Sequence, residues 1–215
     1  EANGQSELLD VILQPALVAQ GSARLLGQST EGLTARAVRA LGVGLIPEDR
    51  HQQGLLLKAS AAENCLLGYE DRRELRRGGL LSTAAVRAHA QRIFEAFDVR
   101  PRDVTRAASA FSGGNQQKII IGRELAHAPR LILAARPTRG VDVGAIELIH
   151  RQLVQARDQG AGILLISADL DEILALSDRI LVLYRGQIAA ELTRENASLE
   201  TIGVAMGGGG AQHES

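Results

Sequence analysis

The chain is 215 residues long, 45% hydrophobic and 23% charged, enough to bury the core of one soluble α/β domain. Its formal net charge of −1 and its five scattered aromatics (Tyr69, Phe94, Phe97, Phe111 and Tyr184) argue against a nucleic-acid surface or a base-stacking platform. A single cysteine, Cys65, excludes an internal disulfide and a cysteine-based zinc site, and no run reaches the roughly 18 apolar residues of a membrane span.

Residues 7–13 carry an apolar pattern compatible with a helix ending before Pro15. A short strand is expected over 23–26, then a helix over 34–41 with Thr34 as its N-cap. Val43–Ile46 is an apolar run stopped by Pro47 and reads as a buried strand. From Gly54 the character changes. Helical patterns over 59–67 and 82–97 flank a charged run at 70–77, and the stretch reads as an all-helical lobe inserted in a sheet domain. The run is mixed in sign, which favours a solvated surface over a phospholipid patch.

Ser112-Gly113-Gly114 then opens a helix through Ile119, Ile120 and Ile121 to Ala126. A helix start with unpaired N–H groups, glycine access and a serine hydroxyl can clamp a phosphate. Leu131–Ala135 is an apolar strand, followed by a turn at 137–140 and a helix capped by Asp142 that runs to about residue 158. Residues 162–167 read as another buried strand, Leu170–Leu176 as a short helix, and Arg179–Tyr184 with 187–192 as a hairpin across Arg185-Gly186. The glycine run from Gly207 to Gly210 cannot pack, so 207–215 is expected to be a disordered tail. Apolar strands alternating with helices give a mostly parallel sheet.

The stretch Phe111-Ser112-Gly113-Gly114-Asn115-Gln116-Gln117-Lys118 resembles the signature sequence of ATP-binding cassette (ABC) ATPases, in the form found in the second cassette of sugar-type importers. Four further segments resemble that family, in its order. Asn3-Gly4-Gln5-Ser6-Glu7-Leu8 looks like the end of a degenerate phosphate-binding loop. Ile46-Pro47-Glu48-Asp49-Arg50 with Gly54-Leu55 looks like the Q-loop region, with Glu48 where most cassettes carry glutamine. Pro137-Thr138-Arg139-Gly140-Val141-Asp142 resembles the D-loop, and Leu164-Leu165-Ile166-Ser167 the strand leading to the switch histidine. The resemblance implies an α/β fold of the P-loop NTPase type over 1–206: a mostly parallel sheet with flanking helices and an inserted all-helical subdomain at about 54–112. The strand that should precede the loop is missing, so the chain is expected to be a piece of a longer polypeptide, marginally stable alone.

In that family the signature closes over the γ-phosphate of an ATP bound to a facing cassette. By resemblance, Ser112, Gly113, Gly114, Asn115 and Gln116 would bind the partner's ATP, and Asp142 would face the same interface while also capping its helix. The chain's own nucleotide site departs from the pattern. Gln5 stands where a lysine neutralises phosphates and has no cation to offer. Ala135 stands where a carboxylate holds Mg²⁺ through water. Arg136 stands where a glutamate serves the attacking water, and a guanidinium cannot accept a proton. Ala168 replaces the switch histidine, and Ala2 a loop glycine. Asn3, Gly4, Gln5, Ser6, Glu48, Ala135, Arg136 and Ala168 would thus line a degenerate site, with no catalytic residue of its own.

The expectation is a cassette of a simple-sugar or nucleoside importer that couples ATP to transport without hydrolysing it alone. ATP and Mg²⁺ would sit at the partner's site. Partners would be a second cassette, the N-terminal half of the same polypeptide, then permease subunits and, indirectly, a periplasmic or lipoprotein substrate-binding protein, but no nucleic acid. The location would be cytoplasmic, at the inner face of the membrane through the permease. A soluble ABC-type protein without a permease and a nucleotide-free structural cassette are the alternatives. The five histidines (His51, His89, His127, His150 and His213) lack metal-ligand spacing, and Cys65 reads as a small buried hydrophobe. Glu48 and Asp49 read as a solvated loop that senses the membrane partner.

Overall fold

The computed structural model describes residues 3–18 and 20–208. In chain order its elements are α1 (Gln5–Leu13), β1 (Arg24–Leu25), β2 (Gln28–Ser29), α2 (Ala35–Ala40), β3 (Val43–Ile46), α3 (Ala61–Asn64), β4 (Arg76–Arg77), β5 (Leu80–Leu81), α4 (Thr83–Ala96), α5 (Gly113–Leu125), β6 (Leu131–Ala135), α6 (Val143–Asp158), β7 (Gly162–Ile166), α7 (Leu170–Leu176), β8 (Arg179–Tyr184), β9 (Gln187–Thr193) and α8 (Leu199–Met206). They form two compact units, one within Arg39–Leu164 and the other within Glu1–Val38 and Leu165–Ser215. The tail expected at 207–215 falls outside the described residues from 209 onward.

In the unit of 39–164, β3, β6 and β7 lie side by side in that order, with β3 parallel to β6 and Ile46 opposite Ala134. Val43, Ile46, Ile132, Leu133 and Ala134 are buried, the continuous apolar run of a strand covered on both faces. β7 was expected to be buried too. It is half-exposed instead, being last in the strand order among the described residues. Against the sheet lies α5, whose Ile119, Ile120 and Ile121 are all fully buried. Three consecutive apolar residues cover more than one helix face, so α5 is enclosed on several sides.

Gly122 is where α4 crosses α5. A methyl group there would come within 2.5 Å of Ile93 Cγ2 and 2.9 Å of Phe97 Cδ2, both on buried residues. Gly122→Ala should therefore overpack this crossing and cost about 1–3 kcal/mol. A melting temperature equal to that of the unsubstituted chain would show that the crossing can relax.

The stretch between 54 and 112 is not all helix, contrary to the expectation. β4 and β5 pair antiparallel, Arg76 opposite Leu81, because Gly78 and Gly79 both take positive φ and reverse the chain. The helix expected over 59–67 is cut to α3. A capping box of Ser60 and Glu63 starts it, and the fully buried Asn64 turns its amide back to the carbonyls of Leu56 and Ser60. By contrast α4 follows its sequence pattern, capped by Ser82.

In the other unit α1 begins after Gly4, whose φ of 102° only glycine adopts easily. β8 and β9 form the expected hairpin. α8 was not read from the sequence, yet Ser198 and Thr201 form a capping box ahead of an apolar run, which is a legible start signal. It packs Ile202 and Ala205 onto Ile180 and Val182.

Candidate functional site

The first turn of α5 is fixed by its own signature residues. Ser112 Oγ accepts from Asn115 N at 3.4 Å and from Asn115 Nδ2 at 2.9 Å, and Asn115 Oδ1 accepts from the Arg100 N–H at 2.8 Å. Gln116 is buried, donating through Nε2 to the Ala108 carbonyl and lying 2.9 Å from His51 Nε2 through Oε1. Gln117 donates to the Pro137 carbonyl at 2.8 Å, and Lys118 to that of Asp98 at 3.1 Å. Asn115 and Gln116, expected to meet a nucleotide, are thus both engaged inside the chain. The face they support consists of the exposed Ser112 and the first-turn N–H of the half-buried Gly113, Gly114 itself being buried beside Asp142. As a first-turn donor that N–H has no intrahelical acceptor, and it carries the positive end of a 13-residue helix.

Asp142 stands against this face. Its Oδ1 accepts from Ala145 N at 2.9 Å, capping α6, and a Cβ on Gly114 would lie 2.9 Å from its Oδ2. The capping role is therefore realised, with one carboxylate oxygen left beside the signature.

Glu48 and Arg136 come together at the end of β6. Glu48 Oε1 is 3.1 Å from Arg136 Nη1 and 3.3 Å from Arg139 Nη1, with side chains only 34% and 18% exposed for Glu48 and Arg136. Arg136 holds a left-handed φ of 46°, an uncommon conformation for an arginine. Ala135 before it is buried, so the strand end presents a methyl group and a paired cation. Glu48 and Asp49 were expected to form a solvated loop; both are half-exposed and engaged within the chain. Glu48 bridges two arginines. Asp49 caps the turn at Arg50–Gly54, and N–H groups of Gln52 and His51 hold its carboxyl below the usual carboxylate range.

In the other unit, Gln5 Oε1 accepts from Asn3 N at 3.2 Å, so the side chain at the lysine position turns back onto its own loop. Asn3 in turn accepts from the N–H groups of Arg185 and Gly186, both at 3.0 Å. Ser6 is exposed on α1, and Ala168 is exposed between Ser167 and the α7 cap Asp169. Ala2 lies outside the described residues. Among the described residues no group of three or more His, Cys, Asp or Glu side chains could hold a metal ion.

The sequence reading missed a buried ionic knot behind the signature. Glu124, with no exposed side-chain surface, accepts from Arg39 at 2.9 Å, Arg123 Nε at 2.9 Å, Tyr69 Oη at 2.9 Å and the Leu45 N–H at 3.1 Å. Arg123 also donates to the carbonyls of Gly54 and Asn64. α5 is thereby tied to β3 and to α3. The Arg123-Glu124 pair just after the apolar run Ile119–Ile121 was the available signal, since charges are enclosed only when paired. Cys65 is buried as expected, and burial pushes its thiol up to about 12.

A family model described as ABC transporter matches residues 2–139. The chain is 42% identical over 209 residues to the nucleoside import ATP-binding protein NupA of Lactococcus lactis subsp. cremoris, covering 97% of this chain and 41% of that protein. It is 45% identical over 212 residues to the glucose import ATP-binding protein TsgD13 of Haloferax volcanii, covering 97% and 38%. The chain therefore spans about two fifths of the length of these curated relatives. Among solved structures, the dimeric post-hydrolysis state of the ATP-binding cassette MJ0796 bound to ADP and Pi superposes with a TM-score of 0.74 at 23% identity, covering 89% of this chain and 81% of that one.

Proposed function

The chain belongs to the ABC transporter family, and from that premise we propose that it is a cassette of a nucleoside or simple-sugar importer that serves a partner's ATP rather than its own. The names of its relatives supply the substrate class. The observation that carries the division of labour lies within one unit: α5 opens on an anion-ready turn at Ser112 and Gly113, whereas β6 ends in Ala135 and an arginine already paired to Glu48. The first can stabilise a γ-phosphate; the second has neither a metal carboxylate nor a base.

Cassettes of this family bind ATP with Mg²⁺. The end of β6 does not fit Mg²⁺, because Ala135 offers no side-chain oxygen, the nearby Glu48 carboxylate is held by Arg136 and Arg139, and those guanidiniums would repel a divalent cation. The lid face does fit a phosphate. Ser112 Oγ and the Gly113 backbone N–H would orient the facing γ-phosphate and neutralise part of its charge, supporting hydrolysis that the partner's residues perform. In this reading the chain is the second half of a tandem-cassette polypeptide. The first half supplies lysine, carboxylates and histidine, permease subunits anchor the pair at the cytoplasmic face of the membrane, and a substrate-binding protein delivers the cargo.

Restoring one carboxylate should not restore chemistry. Arg136→Glu would put a second carboxylate beside Glu48, while Gln5 still lacks a cation and Ala135 a metal ligand. The isolated chain and its Arg136→Glu variant are both expected to hydrolyse ATP at background rate. Turnover by the purified chain that survives Gln5→Ala and Glu48→Ala would overturn the reading.

A further inference from the structure

The segment that follows Glu48 touches both parts of the lid, and the residue that does so is Arg50. Its Nη1 donates to the Arg139 carbonyl at 2.9 Å, in the turn before Asp142. Its Nη2 lies alongside the first turn of α5, only 2.8 Å from where a Cβ on Gly113 would be. A Cβ on Gly140 would be 3.5 Å from Nη2 and 3.7 Å from Nη1. The planar fork therefore rests between two glycines, one from each loop, and a side chain at Gly113 would have to displace it. The next residue repeats the connection, with His51 Nε2 2.9 Å from the buried Gln116 of α5.

From this geometry we infer that Arg50 is a positioning residue: it ties the D-loop turn to the signature turn, so that Ser112, Gly113 and Asp142 approach a facing nucleotide as one rigid edge. The physical reason is preorganisation. A lid whose two loops wander independently must be ordered at the moment of closure, and that ordering cost falls on the transition state. A guanidinium suits the task because its donors sit in a fixed plane. A lysine could reach the Arg139 carbonyl but could not fill the space between the glycines. The inference rests on the lid reading proposed above.

The test uses the complete transporter, reconstituted with its permease and an intact partner cassette, carrying Arg50→Ala, Arg50→Lys or Gly113→Asp. Arg50→Ala should lower kcat for ATP by about tenfold while KM stays within about twofold, because the nucleotide is held by the other cassette. Arg50→Lys should recover part of the loss, and neither variant should shift the melting temperature by more than about 2 °C, since Arg50 is only partly buried. If Gly113→Asp abolishes turnover while Arg50→Ala leaves kcat unchanged, the lid stands and the role of Arg50 is lost. A kcat loss accompanied by a matching fall in melting temperature would also overturn it, reducing Arg50 to a support of the fold. If Gly113→Asp itself leaves turnover intact, it is the lid reading that fails.

Discussion

Gly113→Asp is expected to lower ATP turnover of the assembled transporter by at least about a hundredfold while leaving this chain folded. The substitution keeps the backbone N–H but sets a carboxylate beside the developing anion, a repulsion expected to cost at least as much as losing one preorganised donor, about 10²- to 10³-fold. The side chain fits only by displacing the end of Arg50, a small cost to the fold because that end is flexible. The neighbour nearest the new Cβ is the flexible end of Arg50 at 2.8 Å, with the Gly140 carbonyl at 3.3 Å, and a carboxylate beside a guanidinium is an attractive pair. Stability and activity should therefore separate. The melting temperature should stay within a few degrees, and turnover and uptake should vanish together. Retained turnover would remove the lid from the mechanism and favour a cassette that only buttresses the assembly.

Much of this was legible along the chain where a local pattern has one structural meaning. The strand at Val43–Ile46, closed by Pro47, and the strand at Leu131–Ala135 match the structure residue for residue, and so does the short helix at Leu170–Leu176. Each is an apolar run with a hard boundary. The hairpin of β4 and β5 was hidden by charge: Arg76-Arg77 has no strand pattern, and only Gly78-Gly79 marks the reversal. The site was legible as a motif but not as a mechanism. Asn115 and Gln116 look like ligand residues in sequence because their partners, the Arg100 N–H and His51, lie 15 and 65 positions away. The same distance problem concealed the pairing of Glu48 with Arg136. Each could be noted as an odd replacement, but that the two replacements neutralise one another is a fact of three dimensions.

The largest stability effect should come from Glu124. Its partners lie 55, 79 and 85 positions away along the chain, so the carboxylate closes several long loops at once. Glu124→Gln keeps the shape and removes the charge. Arg39 and Arg123 are then left facing one another without their shared anion, in a place where Arg123 is 3% exposed. Breaking a buried pair by deleting one member costs about 3–5 kcal/mol, or about 6–20 °C in a chain of this size. The pH profile identifies the cause. Burial alone would push the Glu124 carboxyl up, but the guanidiniums of Arg123 and Arg39, with hydrogen bonds from Arg39 and Leu45, outweigh it and hold it below the ordinary range. A depressed folded value means the stabilisation is complete above about pH 4.3, the unfolded value, and is lost as pH falls through the folded one.

A separate loss should appear at higher pH. His127 and His89 stack 5.1 Å apart with their Nε2 atoms buried and unpartnered. Burial, with Arg72 nearby, lowers His127 to about 4, and burial with Arg92 lowers His89. The unfolded chain takes up these protons near pH 6.5 and the folded one resists, so stability should fall between about pH 6.5 and 4. Glu124→Gln should keep that upper slope and flatten the lower one by the share due to Glu124, the other depressed carboxyls such as Asp49 and Asp103 keeping theirs, when melting temperature is followed from pH 7 to pH 3. A variant that melts like the parent at pH 7 would mean that the two arginines find other acceptors. In that case the knot would serve to fix the direction of α5 rather than to hold the fold together.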